Sequence, residues 1–170
     1  MFTLIIGGAA SGKSDYAQRE VLGLDGPRVY IATMEPFCSE AQDRIARHHA
    51  LRREMGFQTI ECYVNLSGVT VPGGANVLLE DLGNLTANEM FRSDGHGCEA
   101  VLKGIAALRD RCRHLTVVTN EVFSGGREYE GDTLDYLRAL AFLNRALARD
   151  ADRVIEVVCG QPNRFKEAGK

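Results

Sequence analysis

The chain has 170 residues, 45% hydrophobic and 25% charged, which suits one domain with a sizeable core. Its formal net charge of -3 excludes a general attraction to nucleic acid or to an anionic membrane, so any polyanion has to be caught locally. The apolar start, Phe2 to Ile6, is too short for the h-region of a signal peptide, and no run approaches ~18 apolar residues, so a cytoplasmic protein without membrane insertion is expected.

The first element is a strand at 3–6 that breaks into glycines and opens a helix at 13–22. Between them, Gly7, Gly8, Ala9, Ala10, Ser11, Gly12, Lys13 and Ser14 satisfy G-x-x-x-x-G-K-[ST] in the strand-to-helix setting that a phosphate loop requires. Successive backbone N–H groups and the helix N-terminus converge there on phosphates. Lys13 adds a point charge, and the Ser14 hydroxyl is placed to ligate Mg²⁺. The loop is therefore expected to hold a nucleoside triphosphate, ATP or GTP.

A second strand at 28–33 leads to a helix at 39–55, with a capping box of Ser39 and Gln42 and a C′ glycine, Gly56. Arg44, His48 and Arg52 recur on one face at helical spacing. Spacing alone leaves two readings: a solvated basic face, or arginines that bind phosphate oxygens around a nucleophilic imidazole. Strands at 58–63, 76–81, 115–120 and 153–158 alternate with helices at 97–112 and 132–149. Runs such as "VLLED" and "LTVVTN" are apolar on both faces, which predicts a mostly parallel sheet covered by helices on each side, a three-layer α/β fold over residues 1–170. The carboxylate that a phosphate loop needs for its metal is sought at a strand end. Glu80 is favoured, Asp81 comes second, and Glu121 is a third candidate. Cys38, Cys62, Cys98, Cys112 and Cys159 lack C-x-x-C spacing and read as reduced thiols, mostly in the core.

In chain order, "GGAASGKS", "VYIAT", "RIARHHALR", "TIE", "VLLEDLGNLTANEM", "VVTNEV" and Asn144 in the last long helix make a set. It resembles the bifunctional adenosylcobinamide kinase/adenosylcobinamide-phosphate guanylyltransferases of corrinoid biosynthesis over most of the chain. The resemblance implies a RecA-like P-loop sheet and a homotrimer. It also implies two activities: phosphorylation of adenosylcobinamide by ATP or GTP, and transfer of GMP from GTP to that phosphate through a GMP-histidine. Carried over by position, His48 is the guanylylated residue. Ala32, Thr33, Met34, His49, Ala50, Leu51, Arg52, Glu61 and Glu80 touch the nucleotide, with Ser14 and Glu80 on Mg²⁺. The chain departs from the family pattern at Arg138, Ala141 and Arg145 and in the loop "FSGGREYEGD". A monofunctional small-molecule kinase would make His48 dispensable, and a nucleotide-binding module without turnover would do neither transfer.

Overall fold

The computed structural model describes residues 1–35, 50–126 and 128–167. Its centre is a seven-stranded sheet. The strands are β1 (Phe2–Gly7), β2 (Arg28–Ala32), β3 (Phe57–Glu61), β4 (Asn76–Glu80), β5 (His114–Asn120), β6 (Arg153–Val158) and β7 (Gln161–Lys166). They lie in the order β3-β2-β4-β5-β1-β6-β7, the first six parallel and β7 antiparallel on β6. The helices are α1 (Lys13–Leu22), α2 (Leu82–Phe91), α3 (Cys98–Arg111) and α4 (Gly131–Asp150), and residues 50–54 are also helical.

The period of two along each strand distributes its side chains between two cores. Leu4, Val29, Ile31, Val77, Leu79, Leu115 and Val117 face one way and pack with Leu82 and Leu85 of α2, Val101, Ile105 and Leu108 of α3 and Leu140, Leu143 and Leu147 of α4. Ile5, Tyr30, Leu78, Val118, Ile155 and Val157 face the other way, under Tyr16, Ala17 and Val21 of α1. This is the three-layer α/β arrangement expected from strands apolar on both faces.

Each predicted strand is present within one or two residues at its ends, and the helices at 13–22, 97–112 and 132–149 correspond to α1, α3 and α4. Of the helix predicted at 39–55, residues 50–54 are helical and Gly56 has φ +79° where a C′ glycine was expected; its capping box at Ser39 and Gln42 lies outside the described residues. Among the described residues a 3₁₀ turn at Leu66–Gly68 and two longer elements are additional. Helix α2 runs through Gly83, Asn84, Thr86 and Asn88, poor helix formers, and is held instead by its cap and its buried face: the Asp81 carboxylate accepts from the Asn84 N–H at 2.6 Å, and Leu82, Leu85, Thr86 and Glu89 are buried. Strand β7, "QPNRFK", carries Pro162 and Asn163 and is exposed along its whole length, which only an edge position tolerates. The cysteines match the expectation of reduced thiols mostly in the core except at one position: those among the described residues are free, Cys62 is buried in the core, Cys98 and Cys112 are half-buried against it and Cys159 is exposed, and Cys38 is outside them.

Candidate active site

Parallel strands bring their carboxyl ends to one edge, the usual place for a ligand in such a sheet. There, Ala32 is in register with Glu61 on one side and Glu80 on the other, and Gly7 is in register with Asn120. Strand β5 stands between β1 and β4, so the phosphate loop and the favoured carboxylate are one strand apart.

The loop is shaped by backbone conformation. Gly12 caps α1 with φ +86°, and Ala10 also has positive φ, at 53°. A Cβ on Gly7 would lie 2.5 Å from the Ser11 Oγ and 2.7 Å from the Val157 carbonyl oxygen, contacts no side chain can make. The turn between β6 and β7 braces the loop from outside: the Gly160 N–H donates to the Ser11 carbonyl at 2.8 Å. Lys13 is buried and its ammonium donates to the Gly8 carbonyl at 3.1 Å. Ala9 and Ala10 are exposed and Gly8 is half-buried, leaving the outer rim of the loop open.

Beside the loop is a cavity of about 590 Å³ whose lining includes Ser14, Tyr30, Leu51, Arg52 and Glu80. The Tyr30 hydroxyl donates to Glu80 Oε2 at 2.9 Å and accepts from Arg52 Nη2 at 2.9 Å, while the Arg52 guanidinium carbon lies 3.6 Å from the centroid of the Tyr30 ring. Burial, reinforced by the Glu80 carboxylate, drives the Tyr30 phenol far above its ordinary pKa despite the opposing pull of Arg52. It remains a protonated donor at any physiological pH.

The three candidate carboxylates are distinguished by their partners. Asp81 caps α2 through Oδ1, and Asn120 Nδ2 reaches its Oδ2 at 3.4 Å. Glu121 Oε1 accepts from the Phe123 N–H in its own loop at 3.0 Å. Glu80 shares the cavity with Ser14. Thr33 fastens the strand end beneath them: its hydroxyl donates to the Asp81 carbonyl and accepts from the Asp81 N–H, both at 2.8 Å, and Asn88 Nδ2 donates to its carbonyl at 2.9 Å. Thr33 is thus buried, whereas Met34 beside it is exposed. Glu61, at the end of β3, is exposed and accepts from the Tyr63 hydroxyl at 2.7 Å. Ala50 and Leu51 are exposed on the helical stretch that carries Arg52. Arg44, His48 and His49 lie outside the described residues. At the opposite flank, Arg138 and Arg145 are exposed and Ala141 is half-buried on α4.

A family model described as cobinamide kinase / cobinamide phosphate guanyltransferase matches residues 3–165. The chain is 32% identical to the bifunctional adenosylcobalamin biosynthesis protein CobU of Salmonella typhimurium, over 94% of this chain and 97% of that protein. It is 30% identical to the bifunctional adenosylcobalamin biosynthesis protein CobP of Pseudomonas aeruginosa, over 98% of each. Among solved structures, the flagellar accessory protein FlaH of Methanocaldococcus jannaschii superposes with a TM-score of 0.55 over 98% of this chain and 78% of that one, at 12% identity, a likeness of fold alone. The fold is the RecA-like P-loop arrangement.

Proposed function

The chain belongs to the cobinamide kinase / cobinamide phosphate guanyltransferase family and is a bifunctional transferase of cobalamin biosynthesis; from that premise we propose how its residues divide the two transfers. In the first, the phosphate loop from Gly7 to Ser14 holds ATP or GTP, and the γ-phosphoryl passes to the aminopropanol hydroxyl of adenosylcobinamide. A new O–P bond forms as the bond to the β-phosphate oxygen breaks, the nucleoside diphosphate leaves, and the proton of the hydroxyl passes to water. In the second, an imidazole nitrogen of His48 attacks the α-phosphorus of GTP and pyrophosphate leaves. The phosphate of adenosylcobinamide phosphate then displaces the histidine to give adenosylcobinamide-GDP. Lys13 steadies the charge on the departing phosphates in both steps.

The observation that carries this reading is the cavity beside the loop, where Ser14 and Glu80 face one space and Leu51 and Arg52, three and four residues beyond His48, stand on its wall. A magnesium ion suits these donors, since it is commonly held by one or two carboxylates together with substrate phosphates. Ser14 and Glu80 would hold it, and when bound it supplies neutralisation of developing phosphate charge. Ala32, Thr33, Met34 and Glu61 complete the nucleotide contacts of the proposal, supported by the strand ends they share or adjoin, with Ala50 and Arg52 on the helical stretch beside the cavity; His49 joins them by its position in the family motif alone. One catalytic domain, working in the cytoplasm as a homotrimer, completes it; the fully exposed edge strand β7, with Phe165 and the neighbouring Val158 open to solvent, supports self-association.

Mass spectrometry after incubation with GTP and Mg²⁺ tests the reading. The unaltered chain is expected to carry a GMP adduct that His48→Ala lacks, while His48→Ala still phosphorylates adenosylcobinamide. His49→Ala is expected to keep the adduct; an adduct that survives in His48→Ala and vanishes in His49→Ala would move the nucleophile by one residue.

A further inference from the structure

Tyr30, Arg52 and Glu80 come from a strand, a helical stretch and a second strand, yet they form one connected unit on the cavity wall. The Tyr30 ring is buried and stands edge-on to Phe57, with ring centroids 6.0 Å apart and planes at 86°. Packing therefore fixes where the hydroxyl points. That hydroxyl spends its proton on Glu80 Oε2 and takes one from Arg52. Glu80 Oε1 accepts no hydrogen bond from the described residues. A carboxylate with one oxygen tied by a rigid donor has its other oxygen aimed and its rotamer narrowed, which is what a metal ligand of fixed geometry needs.

Resting on the reading that Glu80 serves the metal, we propose that Tyr30 is a positioning residue for that carboxylate, with Arg52 as its clamp. Tyr30 holds Oε2 so that Oε1 is presented toward Ser14 and the phosphates. Arg52 keeps the phenol in place from above, by stacking and by one N–H, and retains further N–H donors for phosphate oxygens. The clamp also joins the residues that follow His48 to the metal carboxylate, so both transfers depend on one small cluster.

The test reads binding, with no turnover involved. Calorimetry with the β,γ-imido analogue of GTP, with and without MgCl₂, gives the gain in affinity that the metal confers. Tyr30→Phe keeps the ring, its packing and the stacked guanidinium, and removes only the hydroxyl. It is expected to reduce the Mg²⁺-dependent gain by about tenfold, the usual scale for a group that orients a metal ligand, with metal-free affinity unchanged. Arg52→Gln, which leaves the core intact, is expected to reduce the same gain by a smaller factor. Glu80→Gln, measured alongside, is expected to abolish the gain. If Glu80→Gln abolishes it and both other variants match the unaltered chain, the role of Tyr30 is overturned while Glu80 stands. If Glu80→Gln keeps the gain, the metal assignment falls and the positioning role falls with it. A Tyr30→Phe chain that loses affinity equally with and without metal would make Tyr30 part of the nucleotide pocket instead, which also overturns the proposal.

Discussion

The two edges of the sheet use similar residues for different ends. At the amino edge, polar side chains mostly satisfy backbone. Arg28 donates to the carbonyls of Leu22 and Leu24 at 3.1 and 3.0 Å, Asn76 Nδ2 donates to the Asp25 carbonyl at 3.0 Å, and the Asp152 carboxylate accepts from the Phe2 N–H at 2.6 Å. At the carboxyl edge, Arg52, Tyr30 and Glu80 are bonded to one another around a cavity, and Lys13 sits in a loop whose rim is open. A polar group that closes a backbone account stabilises the fold. One held by other side chains at an open edge, or set as Lys13 is in a phosphate loop whose rim is open, is available to a ligand. The comparison teaches that the partner of an arginine or aspartate says more about its role than its identity does.

If the edges divide labour in this way, substitutions at the carboxyl edge should lower activity at nearly constant stability, and those at the amino edge should do the reverse. The largest effect is expected for Lys13→Ala, which removes the charge next to the phosphates. Both transfers should fall on the order of 10²- to 10³-fold, measured as initial rates of adenosylcobinamide phosphorylation and of GMP transfer. Near-normal turnover would place the triphosphate elsewhere and break the comparison. Next comes Asp152→Ala, which strands the partly buried Phe2 N–H at the start of β1. A loss of about 1–3 kcal/mol is expected from denaturant unfolding, with rates per folded molecule preserved.

The smallest effect concerns pH. Burial, followed by the nearby amino terminus and Arg113, holds the His114 imidazole below its ordinary pKa, and its Nδ1 is buried without a hydrogen-bond partner among the described residues. The fold therefore favours the neutral ring. Its contribution is complete above the unfolded-state pKa of about 6.5 and is lost as pH falls through the lower folded-state value. Unfolding midpoints should decline on acidification below about pH 6.5, and His114→Gln should flatten that slope without changing activity above it; an unchanged slope would remove His114 from the account of this edge.

Much of the carboxyl edge is legible in the residues because its signals are local. The phosphate loop lies within eight consecutive positions, and the φ of Gly12 and the crowding at Gly7 are the physical reasons that those positions are glycine. The strands are readable because runs apolar on both faces suit a covered parallel sheet. Helix α2 is not readable in that way, because its stability comes from the Asp81 cap and from burial against strands made by distant sequence. Strand β7 escapes notice because Pro162 and Asn163 speak against a strand until an edge is there to accept them. The cysteines read as core residues by type, but only Cys62 among those described is fully buried.

What the sequence determined by itself is the alternation of strands and helices, the phosphate loop, and a short set of carboxylates at strand ends. Each follows from periodicity or from spacing within one or two turns of chain. Only the tertiary structure gives these carboxylates their partners: Glu80 meets the Tyr30 hydroxyl across the sheet, while Asp81 and Glu121 accept from backbone N–H groups of their own helix cap and loop. It alone joined Tyr30 to Arg52 and Glu80, 22 and 50 residues away along the chain. No local pattern encodes that meeting: it arises because parallel pairing of β2 with β4 sets Tyr30 beside Leu78, two residues before Glu80, and chain folding returns Arg52 above the ring.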